Sequence, residues 1–394
     1  MIDFRLSEND QEKIDAIRQE SLICRKYARY YDEHEQDEIP PDELPEAADL
    51  PPSPNLAWKM GEGDSSPSVM AMLYTIYRCW GDYAVKLRQP KAGGLGNAAL
   101  MAAGTDDQKT RWINNFLSMA ITEPGCGSDP SRLSATAVLD EETNEWVLNG
   151  EKIFVTGGVR ADGVVLWATL DKSAGRAGIK SFLVMKGTPG FEVAKKEKKL
   201  GIRGEDTATY VFTDCRIPRD QLLGGNEEVV QKGSGGFRGA MKTFNMTRPA
   251  VAAFGIGIAE AALDFTRDEL GKAGVELDYG SGIGQRSAVA DKFMKLEALH
   301  EASKLTVLRA AWLADQGQPN NMESSVCKAH AGTAVRQITQ GCVDILGPLG
   351  ISREHLLEKW VRDCRIIDIY EGTGQIQRLI VARELFDYTR ADLN

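Results

Sequence analysis

The chain contains little of what metal sites and disulfide frameworks are built from. Its 394 residues include four histidines and seven cysteines. The cysteines are odd in number and form no CxxC pair, which is typical of reduced thiols. The histidines do not have the spacing of zinc ligands. The sequence therefore predicts neither a metal site nor a set of disulfide bonds.

Positive charge and long apolar runs are also scarce. The formal net charge of -10 argues against a nucleic-acid partner and against a polybasic membrane anchor. By the sequence alone, no apolar run approaches the roughly 18 residues that a membrane-spanning helix needs. Residues 1–5 lack the apolar region of a secretory signal. We therefore expect no membrane span and a cytoplasmic location.

The pattern along the chain changes from helical to strand-like and back, and the length suits two or three domains. A Ser7-x-x-Asp10 cap predicts a helix over residues 6–33, followed by an acidic, proline-rich loop at 35–67. More helices are predicted at 69–87 and 100–116. Short strands, as in an antiparallel sheet, are predicted at 145–148, 164–169, 181–185 and 207–212. Long helices are predicted at 250–270, 287–316, 324–346 and 355–368.

A single carboxylate stands out in residues 369–378, whose sequence is IYEGTGQIQR. Glu371 lies between apolar residues and a Gly-Thr-Gly turn, and Thr373 is a candidate N-cap for a helix over 376–386. Apolar surroundings disfavour the charged form, so the pKa of Glu371 is expected to rise toward the range of a general base. A surface Glu in a turn between helices is the alternative interpretation.

Two glycine-rich segments earlier in the chain bear on the interpretation of Glu371. Residues 121–129 read ITEPGCGSD, a loop that offers backbone N–H groups and short donors to a planar or anionic ligand. Residues 148–158 read LNGEKIFVTGG, a turn and strand ending in a glycine pair. In this order, and with the Tyr-Glu-Gly-Thr sequence near the C-terminus, the chain closely resembles the acyl-CoA dehydrogenase family of flavoenzymes. The resemblance extends from about residue 104 to residue 383.

The resemblance implies an α+β fold in three parts. These are an N-terminal helical domain (1–118), a central antiparallel β-barrel or sheet domain (119–235) and a C-terminal four-helix bundle (236–394). It implies FAD as cofactor and an acyl-CoA substrate, as in β-oxidation and lipid metabolism. Glu371 would remove the α-proton while the β-hydrogen leaves as hydride to flavin N5, giving a trans-2-enoyl-CoA. An electron-transfer flavoprotein would accept the electrons.

The family's motifs also imply roles for residues of this chain. The backbone of Met119 and Ile121 and the side chains of further residues would bind the flavin: Thr122, Ser128, Phe154, Thr156, Thr373 and Gln375. The substrate would contact Ser128, Phe244, Asn245, Arg248, Tyr370 and Gly372.

Several of these roles have alternatives. Phe154 could be a core residue, Arg248 a surface salt-bridge former, and Cys126 a packing residue rather than a nucleophile. Some family members place the base on an earlier helix, where this chain has Thr247. Because threonine cannot serve as that base, the assignment to Glu371 is favoured.

The chain departs from the family where a neighbouring subunit's flavin is usually gripped. An Arg-x-x-Phe-Gly segment followed by Gln aligns with Glu276, Tyr279 and Ser287, so an anion replaces a cation near a pyrophosphate. In the second such segment Asp344 replaces Gln, and Pro348 removes a backbone donor. We therefore expect either a hetero-oligomer with a sister chain or a homodimer or homotetramer with altered flavin anchoring.

Two other functions remain open at the level of sequence. One is a non-catalytic subunit that completes the site of a homologous dehydrogenase, although the retained Glu371 argues against it. The other is a reductase that acts on an enoyl thioester, since the same groups serve both directions. The family's acyl-pocket stretch near the N-terminus is missing, so the sequence does not give the acyl-chain length.

Overall fold

The computed structural model describes residues 4–35, 66–88, 94–229, 235–388 and 392, with only the backbone described for 86–88, 235–246 and 283. The predicted proline-rich loop therefore lies almost wholly outside the described residues. Helices and strands follow one another in the predicted order, which confirms the α+β class. The boundaries of the three predicted domains themselves stay a prediction.

The N-terminal part is helical. Its helices are α1 (Glu8–Glu33), α2 (Pro67–Arg88), α3 (Leu95–Ala103) and α4 (Asp106–Trp112). The Ser7 hydroxyl caps α1 by accepting a hydrogen bond from the N–H of Asp10, as predicted. The helix predicted over 100–116 is wrong in its extent, because Gly104 ends α3 and Thr105 caps a separate α4.

Helix α2 is kinked at Asp82, whose backbone is extended (φ -164°, ψ 126°). Its carboxylate accepts a hydrogen bond from the N–H of Val85 and so caps the second half of the helix. The same carboxylate contacts Lys359, which in turn contacts Asp363. Asp363 accepts a 2.5 Å hydrogen bond from the N–H of Ile202. This buried ionic group thus joins α2, the C-terminal helices and the sheet region.

Seven strands form one sheet in the order β1-β4-β2-β3-β7-β6, with β5 paired to β4. The strands are β1 (Leu117–Ala120), β2 (Thr136–Asp140), β3 (Glu145–Thr156), β4 (Gly163–Thr169), β5 (Ile179–Met185), β6 (Phe191–Lys196) and β7 (Thr207–Pro218). The four predicted strands are confirmed. The antiparallel expectation is wrong in part, because β4 pairs in parallel with β1 and with one residue of β2.

The C-terminal part returns to helices: α5 (Gly235–Lys272), α6 (Ala288–Asp315), α7 (Asn321–Leu346), α8 (Pro348–Ile351), α9 (Leu357–Asp363) and α10 (Gly374–Phe386). Helix α7 packs against α5, α6 and α10, and α5 also packs against α2. A 3-10 turn (Cys364–Asp368) leads from α9 toward Glu371. The predicted helix over 355–368 is therefore shorter than expected.

One apolar run corrects the expectation drawn from the sequence. Thr247–Lys272 of α5 is long and apolar enough, by length and composition alone, to cross a membrane. About 72% of its most apolar stretch is buried inside the protein, where small residues allow close packing of the neighbouring helices. Such a core helix is weak evidence for a membrane span.

Candidate active site

Glu371 occupies a tight turn between the 3-10 turn and α10. Its backbone is left-handed (φ 55°), and so is that of Gly372 (φ 85°). The Thr373 hydroxyl then caps α10 by accepting a hydrogen bond from the N–H of Ile376, as predicted. A left-handed glutamate is strained, and such strain is commonly found at functional sites.

The Glu371 carboxylate is half-buried and has a close partner on α5. The Thr247 hydroxyl donates to its Oε2 at 2.9 Å. Burial raises the pKa of Glu371, while the Thr247 hydrogen bond and the charges of Lys328 and Arg248 oppose the rise. The net direction is upward, which suits a general base.

Two side chains from different helices hold the carbonyls of this turn. Gln377 of α10 donates from Nε2 to the carbonyls of Glu371 (3.0 Å) and Gly372 (3.2 Å). Lys328 of α7 donates from Nζ to the carbonyl of Gly372 at 2.5 Å. Lys328 and Gln377 are both fully buried. No described residue accepts a hydrogen bond from the N–H of Glu371, so this N–H is available to a ligand.

Tyr370 anchors the other side of the turn. Its hydroxyl lies 2.5 Å from that of Tyr83 on α2, and either group can be the donor. Tyr83 stacks on Phe254 at a ring-centroid distance of 5.0 Å. Burial raises the pKa of Tyr370, so its hydroxyl stays neutral and the contact is a neutral hydrogen bond.

The loop at residues 121–129 is fixed along β3 by a buried ion pair. Lys152 Nζ lies 2.7 Å from Glu123 Oε1 and donates to the carbonyl of Ile121 at 3.1 Å. The N–H of Ile153 donates to the carbonyl of Thr122 at 2.9 Å. Burial lowers the pKa of Lys152 to about 8. The predicted flavin residues Ile121 and Thr122 are thereby placed beside the end of β3, next to Phe154.

The remaining predicted flavin residues occupy several elements. Met119 lies in β1 and Thr156 at the end of β3, both half-buried, whereas Ser128 and Gln375 are exposed. Cys126 is buried and its thiol donates to the carbonyl of Asp129, so the interpretation as a packing residue fits.

Phe154 has an unusual conformation for an aromatic residue in a strand. Its φ is 57°, at an irregularity in the pairing of β3 with β7, and its side chain is 61% exposed. The alternative that Phe154 is a core residue is therefore wrong. An exposed aromatic ring beside a glycine-rich loop is suited to stacking on a planar ring such as an isoalloxazine. On this observation, the residues present fit a flavin.

The predicted substrate residues on α5 are described unevenly. Phe244 and Asn245 lie in α5, but their side chains are outside the described residues. Arg248 is 3% exposed and contacts Asn321 Oδ1 at 3.2 Å and Ser325 Oγ at 3.4 Å. The alternative that Arg248 forms a surface salt bridge is therefore wrong. Arg248 contributes positive charge near Glu371 instead.

The positions that depart from the usual flavin-gripping segments have local partners here. Ser287 caps α6, since its hydroxyl accepts from the N–H of Ala290. Asp344 forms an exposed ion pair with Lys292 at 3.3 Å. Tyr279 is 60% exposed, and its hydroxyl donates to Glu297. These contacts explain why the substituted residues are compatible with the fold.

Sequence reasoning missed Lys328, Gln377 and the Glu123–Lys152 pair. A lysine in an amphipathic helix normally indicates the solvent face, so the sequence around Lys328 carries no sign of its burial. For Thr247, the sequence showed only that threonine cannot serve as a base, and not that its hydroxyl contacts Glu371. Its hydrogen bond to Glu371 spans 124 residues of sequence and is visible only in the fold.

Two family models match the chain. Acyl-CoA dehydrogenase, middle domain, matches residues 118–215, and acyl-CoA dehydrogenase, C-terminal domain, matches residues 234–386. The chain belongs to the acyl-CoA dehydrogenase family. Enzymes of this family use FAD, so the cofactor predicted from the sequence is confirmed.

Individual relatives agree with the family models. Acryloyl-CoA reductase (NADH) of Anaerotignum propionicum is 36% identical over 73% of this chain and 72% of its own length. The short-chain specific acyl-CoA dehydrogenase of Rattus norvegicus is 38% identical over 73% of this chain and 68% of its own length.

Solved structures share the fold over nearly the full length. Butyryl-CoA dehydrogenase from Megasphaera elsdenii has a TM-score of 0.82 and 27% identity, covering 98% of this chain and 100% of that one. A chain from the study of the electron transferring flavoprotein of Acidaminococcus fermentans has a TM-score of 0.80 and 28% identity, with the same coverage. The chain is thus an enzyme of the acyl-CoA dehydrogenase family and shares the fold of these structures.

Proposed function

We propose that this enzyme catalyses the FAD-dependent α,β-dehydrogenation of an acyl-CoA, with Glu371 as the base that removes the α-proton. The observation that carries the proposal is the Glu371 carboxylate itself. It is half-buried, has a raised pKa, and is oriented by a hydrogen bond of 2.9 Å from Thr247. A carboxylate whose pKa is raised and that is held in one orientation is suited to proton abstraction.

The turn around Glu371 also supports polarisation of the thioester. The N–H of Glu371 points to no acceptor among the described residues and would donate to the thioester oxygen. That donation stabilises the negative charge that develops when the α-proton leaves. When bound, FAD supplies the acceptor for the β-hydrogen as hydride.

We assign the cofactor contacts to the loop at residues 121–129 and to β3. Phe154 would stack on the flavin ring, while Thr122, Ser128 and Thr156 would donate to it, together with the backbone of Met119 and Ile121. Thr373 and Gln375 would contact it from the start of α10. Ser128, Arg248, Tyr370 and Gly372, with Phe244 and Asn245 on α5, would line the acyl-CoA site.

Replacing Glu371 by Gln tests the proposal directly, since the amide keeps the shape and removes the base. Flavin reduction by butyryl-CoA, followed in a single turnover, is expected to fall by about 10²–10⁴-fold. Butyryl-CoA is the first probe because a short-chain specific dehydrogenase is 38% identical to this chain. Glu354→Gln, at an exposed position, serves as control and should reduce flavin normally. Near-normal reduction by Glu371→Gln would remove the base assignment.

A second function is favoured by one relative. The protein named acryloyl-CoA reductase (NADH) is 36% identical to this chain. The same residues would then return a proton to the α-carbon of an enoyl thioester, and the hydride for the β-carbon would come from reduced FAD. Comparing flavin reduction by butyryl-CoA with reoxidation of reduced enzyme by crotonyl-CoA, at matched concentrations, decides which direction the enzyme favours.

The comparisons and the substituted residues support two proposals about partners. We propose an electron-transfer flavoprotein as acceptor, in line with the structural match to a chain from such a study. The altered residues Glu276, Ser287, Asp344 and Pro348 support a hetero-oligomer in which a sister chain supplies the missing contacts. A fully flavinated homotetramer in size-exclusion chromatography, with one flavin per chain, would contradict that assembly.

A further inference from the structure

The turn that presents Glu371 does not hold its conformation by itself. Two consecutive residues are left-handed, and only Gly372 adopts that conformation without strain. A Cβ atom on Gly372 would lie 2.4 Å from Nε2 of Gln377, so the side chains around the turn are packed against its backbone. The surroundings must therefore fix the strained glutamate.

Lys328 is the charged group in those surroundings that contacts the turn directly. Its side chain is fully buried in α7, and its Nζ donates to the carbonyl of Gly372. Among the described residues, no carboxylate lies within 4.0 Å of this Nζ. A buried ammonium group without an ion-pair partner is costly, so stability alone does not explain a lysine here.

Another buried lysine, Lys359, differs from Lys328 in its partners. Lys359 is also fully buried, but it contacts the carboxylates of Asp82 and Asp363 at 2.7 and 2.5 Å. Lys359 is thus a structural ion pair. Lys328 donates to a neutral carbonyl one residue beyond Glu371, and its charge acts across that short distance on the Glu371 carboxylate.

Other charged groups face Lys328 from each element packed around it. Arg248 lies on α5, Asp368 on the 3-10 turn, and Glu371 on the turn itself. Burial lowers the pKa of Lys328 to about 8, against the charges of Asp368 and Glu371, which raise it. Lys328 is therefore mostly cationic at neutral pH, and Gln377 on α10 adds a neutral donor to the same turn.

We propose that Lys328 is a positioning residue for Glu371, holding the left-handed turn in place and stabilising the ionised carboxylate. This inference rests on the proposed role of Glu371 as base. Lys328 does not touch the reacting atoms; it acts by orienting the Glu371 backbone and side chain. Loss of its charge removes a stabilising influence on the carboxylate, so the pKa of Glu371 rises.

Exchange of the α-hydrogens tests the base separately from dehydrogenation. In 3,3-dimethylbutyryl-CoA the β-carbon bears no hydrogen, so the compound cannot be dehydrogenated, but its α-hydrogens can exchange with D₂O. NMR follows this exchange in the holoenzyme as a function of pH. Wild type should exchange these hydrogens, and Glu371→Gln should not.

In Lys328→Met, the α-hydrogens of the thioester are expected to exchange at least about tenfold more slowly than in wild type at neutral pH. The pH at which the exchange rate is half-maximal should shift upward. Lys328→Gln keeps a hydrogen-bond donor without the charge. It therefore serves as a second variant in case Lys328→Met does not fold. It should show the same upward shift with a smaller loss of maximal rate. Lys359→Met, a buried lysine away from this turn, controls for lost stability and should keep the wild-type pH profile.

The outcomes separate the two proposals. Wild-type rate and pH profile in both Lys328 variants, with Glu371→Gln inactive, would overturn the role of Lys328 and leave the base assignment standing. Exchange by Glu371→Gln at the wild-type rate would instead overturn the proposed function. A profile shifted equally in Lys359→Met would show that Lys328 acts through stability alone.

Discussion

The hydroxyl of Thr247 donates to Oε2 of Glu371 at 2.9 Å, across the gap between α5 and the turn before α10. The resemblance to the family implies that some of its members place the base at the Thr247 position. In this fold the two positions converge on one carboxylate, and the threonine is its hydrogen-bond donor.

Removing that donor should change the pH dependence of proton abstraction. The Thr247 hydrogen bond favours the ionised form and lowers the pKa of Glu371, against the larger effect of burial. The base works when ionised, so its rate rises with pH through that pKa. Thr247→Val should shift the rising limb to higher pH and slow flavin reduction below it by about tenfold. Thr247→Ser should behave nearly as wild type.

Thr266→Val is a matched control for this change. Thr266 lies on the same helix, and its hydroxyl bonds to the carbonyl of Ala262 one turn earlier and to the thiol of Cys342, neither of which belongs to the Glu371 turn. The rate and pH profile of flavin reduction should stay unchanged in that variant. If the rising limb of the pH profile is not shifted in Thr247→Val, the Thr247 hydrogen bond does not influence the Glu371 carboxylate.

Phe154 should contribute to flavin affinity but not to the stability of the chain without flavin. Its ring is 61% exposed, so Phe154→Ala removes little buried surface. Loss of stacking should weaken flavin binding by about 2- to 12-fold, while Phe154→Trp should retain it. Fluorescence titration of the deflavinated protein with FAD measures the flavin affinity of both variants. Phe386→Ala, at a residue 64% exposed on α10, should bind flavin normally.

The local parts of the site were predictable from the sequence, and the long-range parts were not. Glycines and a capping threonine mark the turn at Glu371, and these signals act within a few residues. The Lys328 contact joins residues 44 positions apart, and the parallel pairing of β1 with β4 joins Leu117 to Gly163. Nothing in either local sequence specifies such a partner, because the fold decides which surfaces meet.

The strands that prediction missed have a similar explanation. β1 has four residues, β2 has five, and half of the six positions of β6 are exposed. None of the three contains a long run of β-branched or aromatic residues, by which the other strands are identified. Their pairing partners, β4, β3 and β7, supply stabilisation that their own short sequences lack.

Lys359→Met should strongly destabilise the fold. Lys359 neutralises Asp82 and Asp363, and all three side chains are at most 1% exposed. Without the lysine, two carboxylates remain buried beside each other, which costs about 3–5 kcal/mol. Urea unfolding measures the change. Lys292→Met, which removes an exposed ion pair with Asp344, should cost at most about 1 kcal/mol. Equal losses in the two variants would contradict a structural role for the buried group.

His300 should make the stability of the protein depend on pH. Its side chain is buried between α5 and α6, with Nε2 3.2 Å from the carbonyl of Ile256. Burial, together with the charge of Lys304, lowers the pKa of His300 to about 4 from an ordinary value of 6.5. Between those two values the unfolded chain binds a proton that the folded chain does not, so the free energy of unfolding falls as pH falls.

This contribution is fully present above pH 6.5, is lost progressively down to about pH 4, and no longer changes below it. His300→Gln removes the titrating group while keeping a polar side chain. The difference in free energy of unfolding between wild type and His300→Gln should therefore shift against wild type from pH 6.5 to 4. A difference that stays constant over this range would show that the His300 ring is protonated as easily in the folded protein as in the unfolded chain.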